Sequence, residues 1–111
     1  MPKKNDSNTS PPRVSDTEES ILSLLVNSRR ELYGLEMVKL SEGMLKRGTV
    51  YVTLQRMEEK GLVEGREEED PPDYIGIPRR LYKPTGLGER AVQAKEAGRM
   101  IMAGHLPRWG R

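Results

Sequence analysis

The feature that most narrows what this chain can form is a change of hydrophobic period at Gly61. Before it, Val50, Leu54 and Met57 recur at i, i+4 and i+7, the apolar face of a helix over 48–60. Gly61 stops that helix, and Leu62 and Val63 open a strand that continues into Arg66. The stretch Asp70–Pro78 (DPPDYIGIP) holds too much proline and glycine for a regular element. Arg79–Lys83 then returns as a second strand. A helix feeding directly into a hairpin needs other helices to cover its apolar face, and the upstream sequence supplies them.

Tyr33–Ser41 predicts a short helix with Leu35, Met37 and Val38 inward and Gly43 as its left-handed stop. Further upstream, Ser15 and Glu18 form a capping-box pattern. Asp16, Glu18 and Glu19 suit the positive end of the helix dipole there. Ile21, Leu22, Leu24, Leu25 and Val26 follow, a stripe too wide for one face of a lone surface helix. It predicts a helix packed on two things, its own core and a partner subunit. A fourth helix is expected from Thr85 to about Ala103. Three helices, a two-stranded hairpin and one more helix give a mostly α fold: a winged helix-turn-helix plus a C-terminal helix. The expected organisation is a disordered tail over 1–14, a winged helix-turn-helix over 15–84, a dimerisation helix over 85–104 and a flexible tail over 105–111.

Composition removes several function classes. With 111 residues there is room for one modest domain. Cys is absent, which excludes disulfides, thiolate metal sites and thiol nucleophiles together. His105 is the only histidine, and no paired acid and base or nucleophile is found, so an enzyme is not expected. Glu67–Asp70 is no metal cluster, because consecutive side chains on a strand alternate faces. Gly86-Leu87-Gly88 lacks the spacing of a nucleotide loop. Neither a metal nor a cofactor is expected. No segment approaches the roughly 20 apolar residues of a membrane span, and the N-terminus lacks a signal-peptide stretch, so a cytoplasmic protein is expected. Net charge is only +2, but the basic residues gather in patches that fit one positive face.

Two helices joined by a tight turn, the second carrying polar and basic groups opposite its apolar stripe, fit the helix-turn-helix pattern that enters a major groove. Thr49, Val52, Thr53 and Arg56 are expected on that outer side. Lys46 and Arg47 flank the helix start, where free amides and the dipole favour a phosphate. Thr and Tyr hydroxyls suit phosphate oxygens, while Thr methyls or Val52 suit thymine methyl groups.

Several spaced motifs together resemble the PadR-like winged-helix transcription regulators. They are Leu32-Tyr33-Gly34-Leu35-Glu36-Met37, then Gly48-Thr49-Val50-Tyr51 with Leu54, then Met57-Glu58-Glu59-Lys60-Gly61-Leu62-Val63, and finally Pro78-Arg79-Arg80-Leu81-Tyr82-Lys83 with Thr85. The resemblance covers roughly residues 20–92. It implies a regulator, expected to be a repressor, that binds double-stranded DNA as a homodimer on a roughly palindromic operator. The DNA-contacting set is expected to be Tyr33, Lys46, Arg47, Thr49, Tyr51, Thr53, Arg56, Arg79 and Arg80. The dimer seam is expected to hold Ile21, Leu22 and Leu25 of the first helix with Leu87, Ala91, Ala94, Gly98 and Ile101 of the last. A small-molecule effector and any role for Trp109 in holding it stay open. So does the alternative of a winged-helix module for protein contacts without specific DNA binding.

The chain departs from that pattern in three places. Pro84 stands where an aliphatic residue is usual and should end the return strand for want of an amide. Gly86 and Gly88 loosen the start of the last helix. The acidic run Glu67–Asp70 would be repelled by phosphates, which leaves Arg79 and Arg80 at the wing base as the expected backbone contacts.

Overall fold

The computed structural model describes residues 13–69 and 79–102. Along the chain run α1 (Asp16–Ser28), β1 (Leu32–Tyr33), α2 (Gly34–Leu40), α3 (Arg47–Lys60), β2 (Val63–Glu67), β3 (Arg80–Pro84) and α4 (Gly86–Met102). Residues 70–78 of the wing loop, the tail with His105 and Trp109, and the side chain of Ile101 lie outside the described parts.

Each helix boundary has a local cause. Ser15 caps α1: its hydroxyl accepts the Glu18 N–H at 3.1 Å, and the Glu18 carboxylate accepts the Ser15 N–H at 2.9 Å. This is the reciprocal arrangement that the sequence predicts. Tyr33 is extended and precedes α2, its N–H held by the Glu36 carboxylate at 3.1 Å. Gly43 does not cap α2. Ser41 does so in a right-handed conformation, and the chain then turns through Glu42 and Gly43, both at positive φ. Gly61 ends α3 with φ 80°, as expected. Thr85 opens α4, its Oγ1 accepting the Gly88 N–H at 3.0 Å while donating to Gly61 O at 2.6 Å.

The sheet has three strands in the order β1-β3-β2, not the two of a simple hairpin. Leu32 pairs with Tyr82 and Tyr33 with Leu81, both antiparallel. The β2–β3 ladder runs from Val63↔Pro84 to Glu67↔Arg80, and the return strand ends at Pro84.

One core joins all the elements. Ile21, Leu22 and Leu25 of α1 meet Met37 of α2, Val50, Leu54 and Met57 of α3, Leu62, Tyr82, and Ala91 and Val92 of α4. This corrects the expected dimer seam: Ile21, Leu22, Leu25 and Ala91 are at most 2% exposed within a single protomer. The wide stripe of α1 is covered by the protomer's own α3, α4 and sheet. Of the remaining seam residues, Leu87 is partly buried, while Ala94 and Gly98 are exposed. Val14 is buried, and its carbonyl and that of Arg13 accept the ammonium groups of Lys95 and Lys60, each at 2.8 Å. The second half of α4 lies against α1 through Lys95–Asp16, Arg99–Glu19 and Ser23–Glu96 contacts.

Candidate nucleic-acid interface

The apolar side of α3 fixes which way its other residues face. Val50, Leu54 and Met57 are fully buried, and Lys46, Arg47, Thr49, Tyr51, Val52, Gln55 and Arg56 are exposed. Thr53 is the correction. At 5% exposure it is largely packed into the core beside α1, although it borders the groove that α3 shares with Ser15 and Thr17. Three apolar positions define a helix phase only loosely, and Thr53 sits on the shoulder that α1 covers. Gln55, absent from the sequence-based set, is also exposed on this outer side, about 100° or more around the helix from each buried position.

The start of α3 is electrostatically bare. No side chain caps it, and its first turn holds no carboxylate. By contrast, α1 and α2 each receive a glutamate three residues past the cap. Among the described residues, Lys46, Arg47 and Arg56 form no ion pair, whereas Lys60, at the far end of the helix, does. Uncompensated cations beside free amides at a helix start make a place for a phosphate.

Tyr51 is set by Gly34. Its ring lies so close over the start of α2 that a Cβ at residue 34 would stand 2.7 Å from the ring. Tyr33 lies beside it in sequence and carries the Arg79 guanidinium over its own ring, 4.1 Å from the centroid. Tyr33, Tyr51 and Arg79 thus belong to the flank formed by the start of α2 and the wing base.

Both wing-base arginines have carboxylate partners within the chain. Arg79 makes two hydrogen bonds to Glu68, at 2.9 and 2.7 Å, and these hold the Glu68 carboxyl below its usual range. Arg80 reaches Glu58 of α3 at 2.7 Å and the Gly65 carbonyl at 3.2 Å. The hydrogen bond to Glu58 raises the Arg80 pKa further. Partly exposed pairs of this kind add little to stability, so a phosphate can replace the carboxylate at modest cost. Among the described residues no cluster of His, Cys, Asp or Glu could hold a metal ion, and no helix is long and apolar enough to cross a membrane.

This architecture has known counterparts. The family model described as "Transcriptional regulator PadR-like family" matches residues 21–94. A PadR family transcription regulator from hypervirulent Clostridium difficile R20291 superposes with a TM-score of 0.66 at 27% identity, covering 78% of this chain and 88% of that one. A PadR-like transcription factor from Bacteroides fragilis gives a TM-score of 0.67 at 26% identity, with 79% and 84% covered. A PadR-like transcriptional regulator from Bacillus cereus strain ATCC 14579 gives 0.56 at 25% identity, with 78% and 84% covered. The curated protein sequences contain no match. The chain belongs to the PadR-like family of transcriptional regulators, and its fold is the winged helix of that family.

Proposed function

We propose that this regulator binds double-stranded DNA sequence-specifically as a homodimer, with α3 in the major groove, and that it represses transcription in the cytoplasm without catalysing a reaction. The observation that carries this reading is the exposed start of α3, where Lys46 and Arg47 stand without carboxylate partners beside uncapped amides. Tyr33, Tyr51 and Thr49 add hydroxyls on either side. Arg79 and Arg80 supply further cations once phosphates displace Glu68 and Glu58. A winged helix used only for protein contacts has no need of this bare basic end.

The homodimer is supported by apolar surface that one protomer leaves uncovered. Met44 is 84% and Met100 56% exposed. Met44, Leu24 and Leu45 line one side of an open groove between α1, the α2–α3 turn and the second half of α4. Ala94 and Gly98 present small side chains on the exposed part of α4, where a second helix can approach.

Selection of bound duplexes from a random pool, with sedimentation of the complex, tests the proposal. The expected product is an inverted repeat with half-sites about 34–36 Å apart, or a multiple of that, occupied by two chains. Failure to enrich any sequence, or one chain bound to a single half-site, would contradict it.

A further inference from the structure

The buried residues of α3, Val50, Thr53, Leu54 and Met57, fix the opposite line of the helix. At about 100° per residue, that line runs through Gly48, Val52, Gln55 and Glu59, all of them exposed. Arg56 and Thr49 stand to one side of it, and with Gly48, Val52 and Thr53 they line a groove shared with Ser15 and with Thr17 of α1. Tyr51 stands to the other side, over Gly34. The cations of α3 therefore flank its outermost ridge, and the ridge itself offers an aliphatic group and a carboxamide before it ends at the Glu59 carboxylate.

Val52 is 57% exposed, and no residue of the described chain covers it. An aliphatic side chain held in water is matched by the one apolar group that a duplex displays in its major groove, the thymine 5-methyl. Gln55 stands about 4.5 Å further along the helix axis, compared with about 3.4 Å between stacked bases. Its carboxamide can meet the N6 and N7 of adenine in bidentate fashion. Gly48, one turn before Val52, carries no side chain and has open space around it, so the backbone there can come close to the duplex.

We infer that Val52 and Gln55 are the specificity-determining residues of α3 and that they read neighbouring A·T pairs, Val52 through a thymine methyl and Gln55 through an adenine edge. Arg56, Lys46 and Arg47 then hold phosphates on the flanks. This inference rests on the proposed DNA-binding reading and refines it to a residue code.

The test uses the full chain and the duplex recovered by selection. Each thymine is replaced in turn by deoxyuracil, which removes only the methyl, and each adenine by 7-deazaadenine, which removes only N7. In the wild type, one thymine per half-site should weaken binding about fourfold when its methyl is lost, the equivalent of one buried methyl group. A neighbouring adenine should respond to loss of N7. Val52→Ala should abolish the thymine effect alone, and Gln55→Ala the adenine effect alone. Both residues are exposed, so circular dichroism should show both variants folded. Tight wild-type binding that ignores every substitution would overturn the code while leaving DNA binding intact. Full methyl sensitivity retained by Val52→Ala, or lost instead in Arg56→Ala, would also overturn it. Recovery of no duplex would remove the DNA-binding reading and this code with it.

Discussion

Gly88→Ala is expected to destabilise the protein by about 3 kcal/mol or more, the upper end of what overpacking costs in a filled core. A Cβ at residue 88 would lie 2.1 Å from the Leu62 carbonyl oxygen and 3.1 Å from a methyl of Leu22. That carbonyl cannot simply move away. It accepts the Thr85 N–H at 3.1 Å, while the Thr85 hydroxyl bonds the neighbouring Gly61 carbonyl at 2.6 Å, and together these set the first turn of α4. Relief would have to lift α4 off α1 and expose Ala91 and Val92. For a domain of this size the loss corresponds to a fall in Tm of roughly 12 °C or more. A thermal melt within about 2 °C of wild type would mean that α4 does not start against Leu62.

Lys60→Met should cost about 2–3 kcal/mol at neutral pH, below the full penalty for orphaning a buried charge because water can reach this site from the Lys60 side. Glu18 is 1% exposed, and the Lys60 ammonium donates to both of its carboxylate oxygens, at 2.8 and 3.0 Å. Burial pushes the Glu18 carboxyl up. Hydrogen bonds from Lys60 and Ser15, with the charges of Lys60 and Arg56, outweigh that and hold it below its ordinary 4.5. A carboxyl lowered on folding contributes stability that is full above the unfolded pKa and is lost as pH falls through the folded one. Without Lys60, burial leaves the Glu18 carboxyl of the variant raised, so the gap between wild type and Lys60→Met in urea denaturation should be widest at neutral pH, begin to shrink above 4.5 as the variant's Glu18 takes up a proton, and go on shrinking as the wild-type carboxyl is protonated below it. A gap that is constant with pH would mean that Lys60 acts through packing and not through its charge.

These two sites show where the sequence was readable and where it was not. The Ser15–Glu18 cap, the stop at Gly61, the strand end at Pro84 and the order of helices and hairpin depend on neighbours within a few residues, so local rules reach them. β1 escaped because two residues carry no period, and it exists only by pairing with β3 some fifty positions later. The same distance hid the ion pairs. Nothing near Lys60 in sequence points to Glu18, nor anything near Arg80 to Glu58. Gly86 and Gly88 look in sequence like a weak helix start, whereas Gly88 is where α4 and the backbone of Leu62 touch. The width of the α1 stripe suits a partner as well as it suits the protomer's own α3, α4 and sheet, and only the tertiary packing shows that the protomer fills it.

Binding anisotropy across a salt series, on the duplex recovered by selection, tests most directly whether the bare basic start of α3 holds DNA. Affinity should fall steeply from about 50 to 200 mM salt, with a log–log slope near −0.9 per phosphate contacted. Lys46→Ala and Arg47→Ala should each reduce that slope by about one for every contact removed, and by about two in a dimer that loses it on both sides. Neither change should alter the preferred sequence. Binding that is indifferent to salt, or variants whose slopes match the wild type, would contradict the placement of α3 against the phosphate backbone.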